Sequence, residues 1–425
     1  MAGRAKQLLG HLSSVDMTKD TWQHVALAPP DIIFKLTAAF KADTFEKKVN
    51  LGVGAYRDDN GKPWVLPVVK KATQRLLSDE SLDHEYLPIT GLPQFTESAA
   101  KLILGPTSPA ILEQRVASVQ TISGTGANHL GALFLSRFYE WTDKPKVYLS
   151  NPTWANHQPI FKNVGIEPVD YAYYDPETIG LDLKGFTNAL SGAPPRSVFL
   201  LHACAHNPTG FDPTHEQWKT IANIMLEKKH FAFFDCAYQG FASGDLDNDA
   251  WAVRHFIDVG VPSLVCQSFA KNAGLYGERV GALHVVSLSG EASTRVKSQL
   301  SVLQRSEISN PPSHGARLVA LILNDPELFE EWKRDIKTMA NRIISMRDEL
   351  YRLLTEELQT PGKWDHIVKQ IGMFSFIGLN GEESQVMVEA HIYMTSNGRM
   401  SMAGLNSKNI RYVAQSIDAI IRHRQ

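Results

Sequence analysis

Stretches that are apolar at successive positions recur through the middle of the chain, separated by segments with helical spacing. Val198-Phe-Leu-Leu201 and Phe231-Ala-Phe-Phe234 have no polar side to turn to water. A strand covered on both faces needs none, so these runs predict the interior of a mainly parallel sheet. On the same grounds strands are predicted over 146–150, 197–202, 231–235, 263–268 and 281–286. Between them lie helix-length segments such as 214–229, where Glu216 and Lys229 bracket an apolar periodicity. The alternation is an α/β pattern.

After Pro312 the texture changes. Residues 316–323, then 326 to about 357, read as helices with charged faces, and the last stretch reads as a short strand over 372–377 followed by helix. A domain change is therefore expected near 330–340, with a large domain over 61–335 and a small one over 336–425. Residues 21–60, which include Ala28-Pro-Pro-Asp31, are expected to form an arm packing with the small domain. Residues 1–20 read as an extension. From Met1 to Val15 it carries Arg4, Lys6 and His11 and no acid before Asp16, which suits a transit peptide for mitochondria or an ordinary tail of a cytoplasmic protein.

Composition narrows the function. With 425 residues, 43% hydrophobic and 21% charged, the chain can bury a large core. Its formal net charge of −2 gives no electrostatic excess for nucleic acid or an anionic membrane. Any anion must be bound by locally placed groups. No uninterrupted apolar run is long enough to cross a bilayer. Cys204, Cys236 and Cys266 form no paired framework and no metal-ligand spacing, so they read as reduced thiols.

The chemistry-bearing residues fall just after predicted strands, where ligands collect in open α/β sheets. Lys271, in Ser268-Phe-Ala-Lys-Asn272, follows one such strand. An imine-forming lysine needs a lowered pKa, from desolvation or from a cation such as Arg279, eight residues on. Alone, the pair reads equally as a surface lysine and a loop arginine. Asp235 ends another apolar strand, and a buried acid needs a cationic partner. A protonated pyridine nitrogen is such a partner, and Tyr238 would then donate to the ring's phenolate oxygen. The plain alternative is an aspartate capping the next turn.

Asn207, in His202-Ala-Cys-Ala-His-Asn-Pro-Thr-Gly210, lies in a turn after a third strand. His202 and His206 would chelate a metal only on a helix, and this segment reads as strand into turn, so no metal is expected. Ser123-Gly124-Thr125-Gly126 precedes an apolar helix, a cradle of N–H groups and hydroxyls for phosphate. His129 stands where a dinucleotide fingerprint needs its third glycine, and no Walker motif is present, so the loop suits a single phosphate. Trp154 follows a further strand and offers a face for an aromatic ring. A lysine, an acid, a phosphate loop, an aromatic plate and phenol-type donors together are what one pyridoxal phosphate molecule requires.

These motifs also carry a family resemblance. The stretch from Ser268 to Arg279 resembles the cofactor-lysine motif of the aspartate aminotransferases, class I enzymes of the fold-type-I pyridoxal-phosphate group. The 202–210 motif, Asn50-Leu-Gly-Val-Gly-Ala-Tyr-Arg57 and Ser309-Asn-Pro-Pro312 are similar to that family too, and the resemblance runs from about Trp22 to the C-terminus. Residues 57–63 look more like the mitochondrial type.

The resemblance implies a large domain with a helix-covered, mostly parallel sheet, a smaller α+β domain and a homodimer with shared active sites. It implies that Lys271 is the Schiff-base lysine and proton shuttle. Asp235 would pair with the pyridinium nitrogen, Asn207 and Tyr238 with the ring oxygen, and Trp154 would stack on the ring. Ser123, Gly124, Thr125, Ser268 and Arg279 would hold the phosphate, with Tyr86 from the neighbouring subunit. Arg399, with Gly54 nearby, would take the substrate α-carboxylate, and Arg305 from the neighbour the distal one. Two guanidinium forks suit the two carboxylates of aspartate, glutamate, 2-oxoglutarate and oxaloacetate. The sequence departs from the family after Arg305, where Ser306-Glu307-Ile308 brings a negative charge close to the distal pocket. The rival readings are an aromatic-amino-acid aminotransferase on the same scaffold, a nicotinamide-dependent oxidoreductase using Gly124-x-Gly126, and an inactive binding protein on this fold.

Overall fold

The computed structural model describes residues 21–28 and 31–424, so the extension read over 1–20 lies outside the described residues. The central sheet is built from β1 Val116–Ile122, β2 Lys146–Asn151, β3 Glu167–Ala172, β4 Val198–His202, β5 Phe231–Cys236, β6 Ser263–Ser268 and β7 Val280–Val286. Their spatial order is β1-β7-β6-β5-β4-β2-β3. Neighbours are parallel except at β7, which runs antiparallel to both β1 and β6.

Alternation along the strands splits the core in two, because successive side chains point to opposite faces. Phe199, Leu201 and Phe234 join Phe186, Trp218 and Phe256 on one face. Val198, Leu200 and Phe233 join Leu130, Phe161 and Leu300 on the other. Both sides of the middle strands are dry, which is why their sequences lack a polar register. Emptying one such position, as in Phe233→Ala, is expected to cost about 3–5 kcal/mol.

The helix read over 214–229 spans His215–Glu227. Thr214 and Gln217 close a capping box at its start. It stops short of Lys229, whose φ of 53° is left-handed. The long helix runs Pro326–Arg352 and ends in a π-turn, Leu353–Glu357. Asp325 caps it by accepting from the N–H groups of Glu327 and Leu328.

Beyond that helix, Phe374–Phe376 pairs antiparallel with Arg399–Ser401, and Val49–Asn50 pairs parallel with Ile392–Tyr393. Residues before 60 are thus tied to the C-terminal part of the chain, and Arg342 Nε adds a bond to Asp59 Oδ1 at 2.9 Å. Val413, Ile417 and Ile421 of the last helix meet Ile336, Met339 and Ile343 of the long one in a single core.

Candidate active site

The carboxyl ends of β1, β2, β4, β5 and β6 share one edge of the sheet. β7 runs the other way, so Arg279 arrives at that same edge just before β7 begins. Here a cavity of about 240 Å³ is lined by Ser123, Gly124, Thr125, Trp154, Asn207, Asp235, Tyr238, Ser268, Lys271 and Arg279. Residues read from separate strand ends therefore meet at one place.

At one end of the cavity, the chain leaves β1 through Ser123, whose φ of 61° is left-handed. The turn is held by the Ser123 N–H donating to Arg279 O at 3.0 Å and by Thr121 Oγ1 donating to Ser123 O at 3.0 Å. The helix Ser123–Phe138 starts here with no side-chain cap, leaving its first-turn N–H groups and dipole open to an anion. Ser123 Oγ lies 3.3 Å from Ser268 Oγ. A Cβ on Gly124 would stand 2.9 Å from Ser268 Cβ, so only glycine lets the two strand ends close this far. Two hydroxyls, a helix N-terminus and the Arg279 guanidinium make a cradle for one phosphate.

Deeper in, Asp235 is buried, and its Oδ2 lies 3.0 Å from His157 Nε2. The contacts continue from His157 Nδ1 to Thr153 Oγ1 at 2.8 Å, from Thr153 Oγ1 to His202 Nε2 at 3.1 Å, and from the Asn207 N–H to His202 Nδ1 at 3.1 Å. A backbone N–H can only donate, and this fixes the direction of the whole chain. His202 Nε2 donates to Thr153, Thr153 donates to His157 Nδ1, and His157 Nε2 donates to an ionised Asp235. Burial pushes the Asp235 carboxyl up, but the His157 hydrogen bond and the nearby Lys271 charge outweigh it and hold the group below its ordinary value. Burial presses His202 down to about 3, so it stays neutral.

Lys271 Nζ sits 4.7 Å from the centroid of the Tyr238 ring. Desolvation and then Arg279 lower its pKa, while Asp235 opposes them. Desolvation and Arg279 are the two causes the sequence pointed to. Asn207 Oδ1 is buried without a partner. An ionised acid, an amine of lowered pKa, an unpartnered amide and an indole around a phosphate cradle suit a compact aromatic ring carrying one phosphate.

Arg399 stands beside this cavity, close enough for its charge to act on Tyr238. Its Cζ lies 4.2 Å from the centroid of Phe374, one terminal nitrogen donates to Gly52 O at 3.0 Å, and Nε is buried without a partner. A Cβ on Gly54 would come within 3.1 Å of Phe374 Cζ, so Gly54 belongs to the same cluster.

Tyr86 and Arg305 are not among the residues lining this chain's cavity. Tyr86 is 87% exposed, and Arg305 donates to Ser309 Oγ at 2.6 Å. Glu307 lies 3.0 Å from His129 Nε2, so its charge has a partner other than Arg305.

His157 is the functional residue that the sequence reading missed. It opens a helix four residues after Thr153, and only its contact with Asp235 marks it out. His206 lies 2.8 Å from Ser150 Oγ and 2.9 Å from Thr209 Oγ1, so both of its ring nitrogens, like those of His202, serve the loop.

The family of class I and II aminotransferases matches residues 46–417. The chain is 52% identical to a cytoplasmic aspartate aminotransferase of Gallus gallus over 94% of this chain and 98% of that protein. It is 51% identical to the solved aspartate aminotransferase from Saccharomyces cerevisiae cytoplasm, with a TM-score of 0.92, covering 95% of this chain and 99% of that one. An aromatic-amino-acid aminotransferase from Burkholderia pseudomallei, solved covalently bound to pyridoxal phosphate, is 40% identical with a TM-score of 0.91, covering 95% and 100%. Similarity to two cytoplasmic forms does not support the mitochondrial leaning of residues 57–63. The helix-covered, mostly parallel sheet and these likenesses agree on one assignment: the chain belongs to the class I and II aminotransferases.

Proposed function

We propose that this chain is a pyridoxal-phosphate-dependent aspartate aminotransferase. It moves the amino group of L-aspartate to 2-oxoglutarate, giving oxaloacetate and L-glutamate, reversibly and by a ping-pong route. The observation that carries the reading is Lys271 in one cavity with Asp235 and the phosphate cradle, beside an arginine whose Nε has no partner.

Bound pyridoxal phosphate supplies a carbonyl that exchanges with amines and a pyridinium ring that accepts the electron pair left at the substrate Cα. The chain's own residues do the rest. Ser123, Gly124, Thr125, Ser268 and Arg279 hold the phosphate. Asp235, kept ionised by His157, pairs with the ring nitrogen. Asn207 and Tyr238 donate to the ring oxygen, and Trp154 covers one face. Lys271 Nζ, lowered by its desolvated site, takes the proton from Cα and returns it elsewhere as general acid. Arg399 receives the α-carboxylate bidentately near Gly54.

The protein works as a homodimer, in which the partner subunit's Arg305 takes the distal carboxylate and the partner subunit's Tyr86 reaches the phosphate. The chain divides into the arm over 21–60, the cofactor domain over 61–335 and the small domain over 336–425. Likeness to two cytoplasmic relatives favours a cytoplasmic location. N-terminal sequencing of the native protein tests this against removal of a leader.

The test of the activity is a coupled malate dehydrogenase assay across several amino donors, with pyridoxal phosphate supplied and withheld. Turnover with aspartate that needs the cofactor is expected. Preference for phenylalanine would instead favour the aromatic aminotransferase.

A further inference from the structure

The long helix buries an arginine that none of the roles above uses. Arg347 is 2% exposed, and no ion pair to it is found among the described residues. Its guanidinium donates to three carbonyls of one short segment: Ile367 O at 2.9 Å, Gly372 O at 2.9 Å and Phe374 O at 2.5 Å. Its Nε has no partner. Burying a guanidinium without a counter-charge is costly, and a hydrophobic residue would fill the space at less cost. What the arginine adds is a rigid fork that fixes the height of one backbone segment.

That segment reaches the substrate site in two ways. The Phe374 ring lies under the Arg399 guanidinium at 4.2 Å, and Phe374–Phe376 is the strand against which the Arg399 backbone pairs, Phe376 opposite Arg399. Its other edge is seated on the loop that carries Asn207. The Ile371 N–H donates to Gly210 O at 2.8 Å, and a Cβ on Gly372 would stand 2.4 Å from Ala205 Cβ.

We propose that Arg347 is a positioning residue for the α-carboxylate site: it sets residues 372–374 so that Phe374 holds the Arg399 fork in register for a carboxylate. The inference rests on the assignment of Arg399 made above. It goes beyond that assignment in placing part of the substrate affinity on a side chain that touches no substrate. Because Arg399 serves every amino donor, an Arg347 variant raises the KM for aspartate and glutamate alike. The proton transfer at Lys271 is left almost untouched.

The experiment compares Arg347→Met, Arg347→Lys, Phe374→Leu, Arg399→Leu and the core variant Ile221→Ala as holoenzymes. For each, kcat, KM for both donors, the dissociation constant of maleate as a non-reacting dicarboxylate, and Tm are measured. Arg347→Met is expected to raise KM and the maleate constant about tenfold with kcat within about threefold. Arg347→Lys should recover part of the loss. Ile221→Ala, in the helix on the far face of the sheet, should lower Tm with KM unchanged. If Arg347→Met does not fold, Arg347→Lys and Phe374→Leu still decide the matter, each raising KM and together less than additively. Unchanged KM and maleate binding in the Arg347 and Phe374 variants, with Arg399→Leu impaired, overturns this inference alone. Unchanged KM in Arg399→Leu overturns the carboxylate assignment beneath it.

Discussion

The two ends of the site are built differently. At the cofactor end, Asp235, His157, Thr153, His202 and the Asn207 N–H form one directed hydrogen-bond chain, with every ring nitrogen used before any ligand arrives. At the substrate end, Arg399 keeps a buried Nε with no partner, while Arg305 sits outside the cavity, donating to Ser309. A resident group can be met by a finished network, since it does not leave. A substrate that comes and goes must supply its own charge to donors left open for it, and the energy of pairing then drives its binding. The cofactor end takes its lysine, acid and phosphate cradle from one chain, with only the partner subunit's Tyr86 added at the phosphate. The substrate end, on our reading, is complete only in the dimer.

The largest expected effect tests the finished end. Lys271→Ala removes the base whose pKa the cavity lowers, and turnover should fall by about 10⁴-fold or more. Borohydride should no longer trap the cofactor on the protein. A trapped adduct surviving in that variant would put the amine elsewhere and undo the comparison.

Next comes the open end. Arg305→Leu should lower kcat/KM for aspartate about a hundredfold while changing phenylalanine less than about tenfold, since only the first has a distal carboxylate to lose. Mixing this variant with Lys271→Ala tests the shared site. If the partner subunit's Arg305 serves the site that this chain's Lys271 serves, hybrids hold one site lacking both groups and one with neither lesion, and aspartate activity reappears. Equal loss for both donors would take the distal carboxylate away from Arg305, and no recovery in hybrids would mean that the substrate end is complete within a single chain.

Smaller again is the effect of His157→Leu, which removes the donor holding Asp235 ionised. The carboxyl then keeps its burial without its main compensation and its pKa rises. We expect kcat to fall about tenfold and pyridoxal phosphate to bind more weakly to the apoprotein. Unchanged cofactor affinity would show that the chain through Thr153 and His202 is ornamental to Asp235.

The contrast also explains what could be read from the sequence. β4, β5 and β6 are dry on both faces, and their bounds lie within a residue or so of those the apolar runs indicated. β1 and β3 form the sheet edges and were not foreseen. β1 alternates Ser118 and Gln120, buried and hydrogen-bonded, with apolar residues, and β3 carries Pro168 and Asp170, so neither presents the unbroken apolar run that marked the central strands. The cofactor end was legible because its groups follow strands directly, as Asp235 and Lys271 do. His157 and Arg347 were not, because each lies on a helix whose pattern is ordinary and gains its role from a contact far away in sequence. Tyr86 and Arg305 carry no local signal at all, and resemblance to the family singled them out.

A last prediction separates the stability of the sheet from the chemistry at its edge. His284 lies buried inside β7, 2.8 Å from Ser118 Oγ on β1 and 3.0 Å from Gln267 Oε1 on β6. Burial presses its pKa down to about 3, whereas an unfolded histidine titrates near 6.5. The unfolded chain therefore binds this proton first. The contribution to stability is whole above about pH 6.5 and is lost as pH falls from there toward 3, at about 1.4 kcal/mol per pH unit. His202, also near 3, adds a slope of the same sign, while Asp212, raised by burial to about 7, opposes both over part of that range. Those groups are shared by the wild type and His284→Gln, so the difference between the two isolates one histidine. Urea unfolding from pH 7 to pH 4.5 should show the variant's stability falling less steeply by about that slope, with kcat at pH 7 unchanged. An identical slope in the two proteins would mean that His284 takes up its proton inside the folded sheet, and that the strands beneath the cofactor are less tightly closed than their packing implies.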